Sequence, residues 1–263
     1  MHIVGVLGRD QALLNAIGRF RDPLGRFHLH PLHEGPVEAV LSGLVPLAFA
    51  GALLLDDEFE QAASGLLQRY SLDAQEVGAV DTVSVAAGGL IGEYNVGRAI
   101  GSLLAEADWD ARGARAVLLG SGRRVSAIAR ELSSMGVAQV VILSENRPAA
   151  ERSLPRLAAS TEVVTSALAD PRSEGFLAEA DLLIRSEPSA EVPPEAMGPH
   201  LCLVDLRPER VTALRQQALN FGALTFNLLD FQAHRMSLGL THILGAGVEL
   251  EPLLALLHET PSP

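Results

Sequence analysis

Residues 114–125 read ARAVLLGSGRRV, and this stretch decides the fold of the 263-residue chain. Its first half has the continuous apolar character of a strand that is buried on both faces, and a glycine turn follows. A helical pattern then runs to Met135, and a second apolar strand covers Gln139 to Leu143. A strand, a glycine turn, a helix and a strand in about 30 residues predict a βαβ unit of the dinucleotide-binding type.

The glycine turn offers a place for a pyrophosphate. Gly120 and Gly122 leave the backbone bare, and the N–H groups at the start of the next helix attract anions. Arg123 and Arg124 oppose the helix dipole unless an anion lies near them. We therefore predict that these four residues and Ser121 bind a cofactor. The alternatives are a tight turn without a ligand, in which Val125 stands in place of the motif's third glycine, and two arginines that face water.

The end of the second strand selects between the two nicotinamide cofactors. An acidic residue there binds the ribose of NAD, whereas an arginine accommodates the additional phosphate of NADP. The segment Ser144-Glu145-Asn146-Arg147 contains both signals. We predict NADP, held in part by Asn146 and Arg147, and NAD stays open.

Further elements alternate between strand-like and helical patterns on both sides of this unit, which predicts an α/β protein. Strands are expected near residues 3–7, 52–55, 78–85, 114–119, 181–184, 201–205 and 223–226. Helices are expected near residues 57–68, 96–107, 209–220, 228–236 and 250–258.

Composition narrows the class of protein. A net charge of −12 disfavours nucleic-acid binding and a polybasic membrane anchor. The chain shows neither a signal-type segment nor an uncharged run long enough for a spanning helix, so the cytoplasm is the expected location. A single cysteine, Cys202, fits a reducing compartment. All 20 of the Lys and Arg residues are arginine, so the sequence contains no lysine.

Three segments in this order resemble the shikimate dehydrogenase family. Residues 78–83 with 89–92 look like its Gly-Ala-Val-Asn-Thr and Leu-Ile-Gly segments, 120–122 with 146–148 like its cofactor loop and Asn-Arg-Thr, and 228–233 like its glutamine-bearing helix. The resemblance implies a substrate domain (1–97 with 227–263), a Rossmann-type NAD(P)-binding domain (98–226) and a cleft between them. It also implies that Asp81, Asn95 and Gln232 bind a small hydroxy or oxo acid.

The departures from the family are equally informative. The Ser-x-Ser expected after Gly8 is absent, no lysine follows Gly51, and Val96 occupies the position of the family's aspartate. Hydride transfer at an alcohol carbon needs a group that takes the hydroxyl proton. Glu58 and Tyr94 are the candidates, with Asp57 and Glu93 as further carboxylates; the alternative for each is a solvated surface residue. Arg235 is a candidate for binding a substrate carboxylate.

Three readings of function follow. The first is an NADP-dependent oxidoreductase that acts on a different cyclic hydroxy or oxo acid, or only weakly on shikimate. The second is a pseudoenzyme that binds a dinucleotide or metabolite, and the third is a structural relative that binds neither. We expect a monomer or homodimer. His28, His30 and His33 could form a metal site, but a solvated strand edge is the favoured interpretation, so no metal is predicted.

Overall fold

The computed structural model describes residues 1–32, 35–152, 154, 157–186, 192–209 and 211–259. The chain divides into two compact units, Met1–Val96 with Gln232–Pro263 and Gly97–Phe231. We call these the outer unit and the central unit. The protein is α/β, as the sequence indicates, and each unit contains its own sheet.

The described part of the central unit forms a six-stranded sheet in which all neighbours are parallel. Its strands are β7 (Arg115–Leu119), β8 (Gln139–Ser144), β9 (Glu162–Ala167), β10 (Leu182–Arg185), β11 (Cys202–Asp205) and β12 (Leu224–Asn227). The order is β12-β11-β10-β7-β8-β9. From the centre of the sheet, β7, β8 and β9 follow one another towards one edge, and β10, β11 and β12 follow one another towards the other edge. This order is that of dinucleotide-binding folds, in which ligands bind where the strand order reverses.

Helices connect these parallel strands because a parallel pair requires a crossover. The connecting helices are α6 (Gly122–Ser134), α7 (Arg147–Arg152), α8 (Arg172–Ala178) and α9 (Ala213–Asn220), and a 3₁₀ helix, Pro194–Ala196, lies between β10 and β11. A further helix, α5 (Val96–Glu106), precedes β7. One face of the sheet, including Leu119, Leu183 and Leu203, packs on α8 and α9 through Leu177 and Leu214. Burial on both faces explains why the central strands are continuous apolar runs in the sequence.

The described part of the outer unit contains a mixed six-stranded sheet of order β2-β1-β3-β5-β6-β4. Its strands are β1 (His2–Leu7), β2 (Phe27–Leu32), β3 (Gly51–Leu54), β4 (Arg69–Tyr70), β5 (Thr82–Ala86) and β6 (Gly89–Glu93). β1 is parallel to β2 and β3, whereas β5 is antiparallel to β3 and β6. The carboxyl ends of β1, β3 and β6 and the start of β5 therefore meet at one edge, which we call the polar edge.

The helices of the outer unit are α1 (Gln11–Arg19), α2 (Val37–Leu44), α3 (Asp57–Ser64), α4 (Leu72–Val77) and α11 (Glu251–Glu259). α10 (Leu228–Leu244) contains the boundary between the two units. No helix in the described ranges is both long and apolar enough to span a membrane.

Several predicted elements are corrected by the structure. The strand expected over residues 78–85 begins only at Thr82, because Gly78 adopts a left-handed conformation (φ +68°) and ends α4. The helix expected over 57–68 stops at Ser64, that expected over 209–220 begins at Ala213, and that expected over 228–236 continues to Leu244. The elements α2, α4, α7, α8, β4, β6 and β9 were not predicted from the sequence.

Candidate functional site

The glycine turn of the central unit has the backbone geometry that the sequence predicts for a phosphate site. β7 ends at Leu119, and the Gly120 N–H donates to the Leu143 carbonyl of β8 at 2.9 Å. Gly120 and Gly122 have φ of +138° and +85°, in a backbone region that residues other than glycine rarely adopt. A Cβ atom on Gly122 would meet nothing within 4 Å, so the space above it is open.

The other predicted cofactor residues surround this turn and the end of β8. Ser121 has an extended backbone (φ −147°) and precedes α6, in whose first turn Arg123 is exposed and Arg124 half-buried. At the end of β8, the N–H of Asn146 donates to the Ser144 hydroxyl at 3.1 Å. β7 and β8 are adjacent and parallel, so the glycine turn after β7 and the residues after β8 lie at neighbouring carboxyl ends of the sheet.

Glu145 and Arg147, which carry the opposing cofactor signals, are both exposed after β8. The Arg147 Nε donates to the Glu151 Oε1 at 2.8 Å, one turn further along α7. This surface ion pair is weak and does not prevent Arg147 from binding a phosphate. Both side chains are exposed beside the end of β8, so neither cofactor signal is ruled out by burial.

In the outer unit, Asp81, Thr82 and Asn95 form a buried hydrogen-bonded cluster at the polar edge. The backbone N–H of Asn95 donates to Asp81 Oδ2 at 2.7 Å, and Asn95 Nδ2 donates to Asp81 Oδ1 at 3.0 Å. The Thr82 hydroxyl donates to Asp81 Oδ1 at 2.9 Å. The structure thus joins two of the predicted substrate residues, and their mutual bonds hold the loop before α5 against β5.

Burial raises the pKa of the Asp81 carboxyl above its ordinary value. The charge of Arg235 and the hydrogen bonds from Asn95 and Thr82 act in the opposite direction without cancelling this effect. Asp81 is therefore an acid whose ionised form is less favourable here than in water.

Glu60 and Arg235 form a second buried pair in the outer unit. Arg235 Nη1 donates to Glu60 Oε1 at 2.6 Å, and Nη2 donates to the Leu54 carbonyl at 3.4 Å. Burial alone would lower the pKa of Arg235, but Glu60, Asp81 and Tyr94 outweigh burial and raise it. Arg235 is a permanent cation with an internal counter-ion, which weakens the prediction that it binds a substrate carboxylate.

Glu60 was not among the candidate residues of the sequence, and it lies in the first turn of α3 although it is only 1% exposed. The signal was helical spacing: Glu60 lies on the same face of the pattern as Ala63 and Leu67, both of which are buried.

The two candidate proton-transfer residues have different environments. The Glu58 side chain is 70% exposed and forms an ion pair with Arg9, whose guanidinium also lies 5.2 Å from the centre of the Phe59 ring. Tyr94 is 3% exposed and interacts electrostatically with the buried Arg235. Of these two, Tyr94 alone combines burial with a nearby fixed charge, which is the environment of many proton-transfer groups. Of the further carboxylates, Glu93 has a side chain that is 15% exposed and lies 3.6 Å from His242 Nε2, and Asp57 is exposed.

Two predicted substrate residues have buried acceptor atoms without a hydrogen-bond partner in the described chain. These atoms are Asn95 Oδ1 and Gln232 Oε1. An unsatisfied buried acceptor costs about 1–3 kcal/mol, so each of these atoms would be stabilised by a hydrogen-bond donor. Both residues belong to the outer unit.

The remaining candidates do not form a reactive site. His28 and His30 lie on the edge strand β2 with ring centres 6.3 Å apart, while His33 and Glu34 fall outside the described residues. No cluster of three or more potential metal ligands occurs in the described ranges. Burial raises the pKa of Cys202 to about 12, which excludes a reactive thiolate.

The chain is similar in sequence to known shikimate dehydrogenases. No protein-family model matches the chain. A shikimate dehydrogenase (NADP(+)) of Symbiobacterium thermophilum is 31% identical over 253 residues, which cover 89% of this chain and 85% of that protein. A second shikimate dehydrogenase (NADP(+)), of Methanopyrus kandleri, is 28% identical over 206 residues, 74% of this chain and 70% of that protein.

Solved structures share the fold at lower identity. Shikimate 5-dehydrogenase of Listeria monocytogenes, in complex with shikimate and NAD, superposes with a TM-score of 0.84 at 17% identity and covers 98% of this chain and 96% of that one. The enzyme of Thermus thermophilus, with NADP(H) and shikimate, gives 0.80 at 21% identity over 99% and 100%. A 5-ketofructose reductase of Gluconobacter gives 0.77 at 20% identity over 98% of both chains.

Proposed function

Because this chain belongs to the shikimate dehydrogenase family, we propose that it is an NADP-dependent oxidoreductase with an altered substrate site. It acts on a cyclic hydroxy or oxo acid, or only slowly on shikimate. In this proposal the central unit binds the dinucleotide and the outer unit binds the acid. The named relatives are NADP(+)-dependent shikimate dehydrogenases, which supports both the reaction type and the cofactor.

The turn at Gly122 is the observation that carries the proposal. Its positive φ and the open space above it give a pyrophosphate access to bare backbone where α6 begins. Ser121, Arg123 and Arg124 flank that space, and Arg147 follows the next strand. NADP supplies the hydride acceptor when it is bound, and these residues orient it.

The outer unit supports binding of a hydroxyl-bearing ring. The unpartnered acceptors of Asn95 and Gln232 require hydroxyl or amide donors, and a polyhydroxylated ring carries several. Asp81 is occupied by its own neighbours and orients Asn95. Both atoms are sealed from solvent in this structure, so a substrate hydroxyl donates to Asn95 Oδ1 or Gln232 Oε1 only after neighbouring side chains move.

Proton transfer must use a group other than the family's lysine and aspartate. The sequence has no lysine, and Val96 stands at the position of the aspartate. Arg235 cannot replace the lysine as a base because a guanidinium stays protonated. We assign the transfer to Tyr94, since Glu58 is largely exposed and paired with Arg9, Asp57 is exposed, and Glu93 lies 3.6 Å from His242 Nε2.

A second candidate function is a protein that binds the dinucleotide or a metabolite without chemistry. The absence of lysine together with Val96 favours it, because the loss of an acid–base group typically slows a reaction by about 10²–10⁴-fold. Where the bound molecule is the dinucleotide, the two functions share the cofactor site and differ only in turnover.

One experiment separates them. The purified protein is titrated with NADPH and NADH, and NADP reduction is then followed with shikimate and a panel of cyclic hydroxy acids. We expect NADPH binding and slow turnover, with kcat lowered by about 10²-fold in Tyr94→Phe at unchanged NADPH affinity. Glu58→Gln is the control and should stay within about twofold of wild type, as expected for an exposed ion pair.

Binding without turnover for every acid would establish the non-catalytic function. The absence of NADPH and NADH binding at millimolar concentration would overturn the oxidoreductase and the non-catalytic dinucleotide-binding protein alike, and would leave only binding of a metabolite.

A further inference from the structure

Arg185 and Asp205 form a buried ion pair at the carboxyl ends of two neighbouring strands of the central unit. Arg185 ends β10 and Asp205 ends β11, and the two residues are partners in the parallel register. Arg185 Nε donates to Asp205 Oδ1 at 3.0 Å, and Nη2 donates to Asp205 Oδ2 at 2.6 Å. The Thr212 hydroxyl also donates to Asp205 Oδ2.

This bidentate arrangement fixes the guanidinium but leaves one nitrogen unused. Within the described part of the chain, Nη1 of Arg185 makes no hydrogen bond, and it is not among the sealed polar atoms that lack a partner. The side chain is 10% exposed. A buried arginine with a fixed plane thus presents Nη1 to solvent as a pre-oriented donor.

The position of Arg185 in the sheet is the decisive observation. β10 pairs with β7, and Arg185 lies opposite Leu119, the residue before the Gly120 turn. Ser186, which follows, donates from both its backbone N–H and its hydroxyl to the Leu119 carbonyl, each at 3.0 Å. Since the strand order reverses between β7 and β10, Arg185 marks the switch point of the sheet.

Dinucleotides cross such a sheet at the switch point, with one mononucleotide on each half. The half formed by β7, β8 and β9 carries the glycine turn and the residues that select the ribose phosphate. The half that begins with β10 faces the other mononucleotide, and Arg185 is the first residue at its carboxyl edge.

We infer that Arg185, held in position by Asp205, is a further cofactor-binding residue, which donates from Nη1 to the nicotinamide mononucleotide half of the dinucleotide. The inference rests on the proposed cofactor binding and adds a contact that the glycine-turn motif does not include. Phosphate, ribose hydroxyl and carboxamide oxygens in that half are all suitable acceptors.

The test compares NADPH with adenosine 2′,5′-bisphosphate, which lacks the nicotinamide half. Arg185→Gln should weaken NADPH binding about tenfold or more and leave binding of the bisphosphate unchanged, since a hydrogen bond from a charged group is lost only with NADPH. A merely structural role would weaken both ligands alike. Arg172→Gln is the matched control, because Arg172 makes the same bidentate contact with Asp170, beyond the edge strand β9.

The double variant Arg185→Gln, Asp205→Asn keeps the inference testable if the single variant does not fold. It removes both charges and leaves no buried ion without its partner, and it should show the same selective loss of NADPH affinity. Equal NADPH affinity in wild type and variant would overturn the inference while the proposed function stands. If wild type bound the bisphosphate and NADPH equally, the inference would fail too, and if it bound neither, the proposed function would fail with it.

Discussion

Glu60 and Arg235 are separated by 175 residues and form an ion pair whose side chains are 2% and 3% exposed. Arg235 is also close enough to Asp81 and Tyr94 to interact electrostatically with both. One buried cation therefore interacts with two buried carboxyl groups of the outer unit, those of Glu60 and Asp81. The exposed pair of Arg9 and Glu58, in the same unit, provides a direct comparison.

Removal of the buried cation should destabilise the protein strongly. Arg235→Met leaves Glu60 buried without its partner, and we expect a loss of about 3–5 kcal/mol in the free energy of unfolding. Arg9→Met breaks the exposed pair and should cost at most about 1 kcal/mol. Urea unfolding measures the loss of stability in both variants. Equal losses would show that the buried pair contributes no more to stability than the exposed one.

The double variant Arg235→Met, Glu60→Leu distinguishes the pair's net worth from the cost of breaking it. An apolar replacement of similar volume should recover most of the lost stability, because both ions no longer have to be desolvated. A double variant as unstable as the single one would instead assign the loss to other contacts of Arg235.

The raised pKa of Asp81 predicts a dependence of stability on pH. Because burial favours the protonated carboxyl, the native state binds more protons than the unfolded state between the ordinary pKa of 3.8 and the raised native value. The contribution of Asp81 to stability is thus greatest below the ordinary pKa and falls as pH rises through that interval.

Asp81→Asn removes this titration with little change in shape. The difference in unfolding free energy between wild type and variant should move in favour of the variant as pH increases from about 4 towards neutrality. Urea unfolding at several pH values measures it. A difference that stays constant, or that moves towards wild type, would contradict the assigned direction.

The strands of the central unit could be predicted from the sequence because they are buried on both faces and are therefore continuous apolar runs. The predictions for β7, β8 and the glycine turn depend only on such local patterns. Glu60 and Arg185 were missed for a different reason. Each owes its burial to a partner that is distant in sequence, Arg235 for Glu60 and Asp205 for Arg185, and local periodicity carries no record of that contact.

β6 and β9 escaped prediction for a related reason. β6 contains two glycines, which weaken any strand signal, and it forms because β5 pairs with it. β9 is an edge strand whose partner, β8, supplies the pairing. The polar edge likewise depends on the antiparallel pairing of β3 with β5, which no single segment of the sequence specifies.

Gly122 and Gly113 allow backbone strain to be separated from cofactor binding. Both have positive φ (+85° and +75°), and in both the space around an added Cβ is open. Alanine at either position should cost about 1–2 kcal/mol of stability, because a left-handed conformation is unfavourable for residues with a side chain. Thermal or urea unfolding should therefore give similar losses for the two variants.

Cofactor binding should differ between them. Gly122→Ala should weaken NADPH binding at least about tenfold, since the methyl group occupies the space that a pyrophosphate needs. Gly113→Ala lies before β7, at the opposite end of the strand, and should bind NADPH like wild type. If the two variants bound NADPH equally well, the turn at Gly122 would not be the phosphate site.

The choice between NADP and NAD depends on Arg147 and Glu145, which follow β8 within three residues of its last residue, Ser144. If Arg147 holds the additional phosphate, Arg147→Gln should weaken NADPH binding about tenfold and leave NADH binding unchanged, because only NADPH loses a charge-assisted hydrogen bond. Arg152→Gln, at the other end of α7, is the matched control. Fluorescence titration with both cofactors gives the ratio of affinities. Glu145→Gln tests the opposite assignment: a selective loss of NADH binding in that variant, with Arg147→Gln unaffected, would make the chain an NAD-binding member of its family.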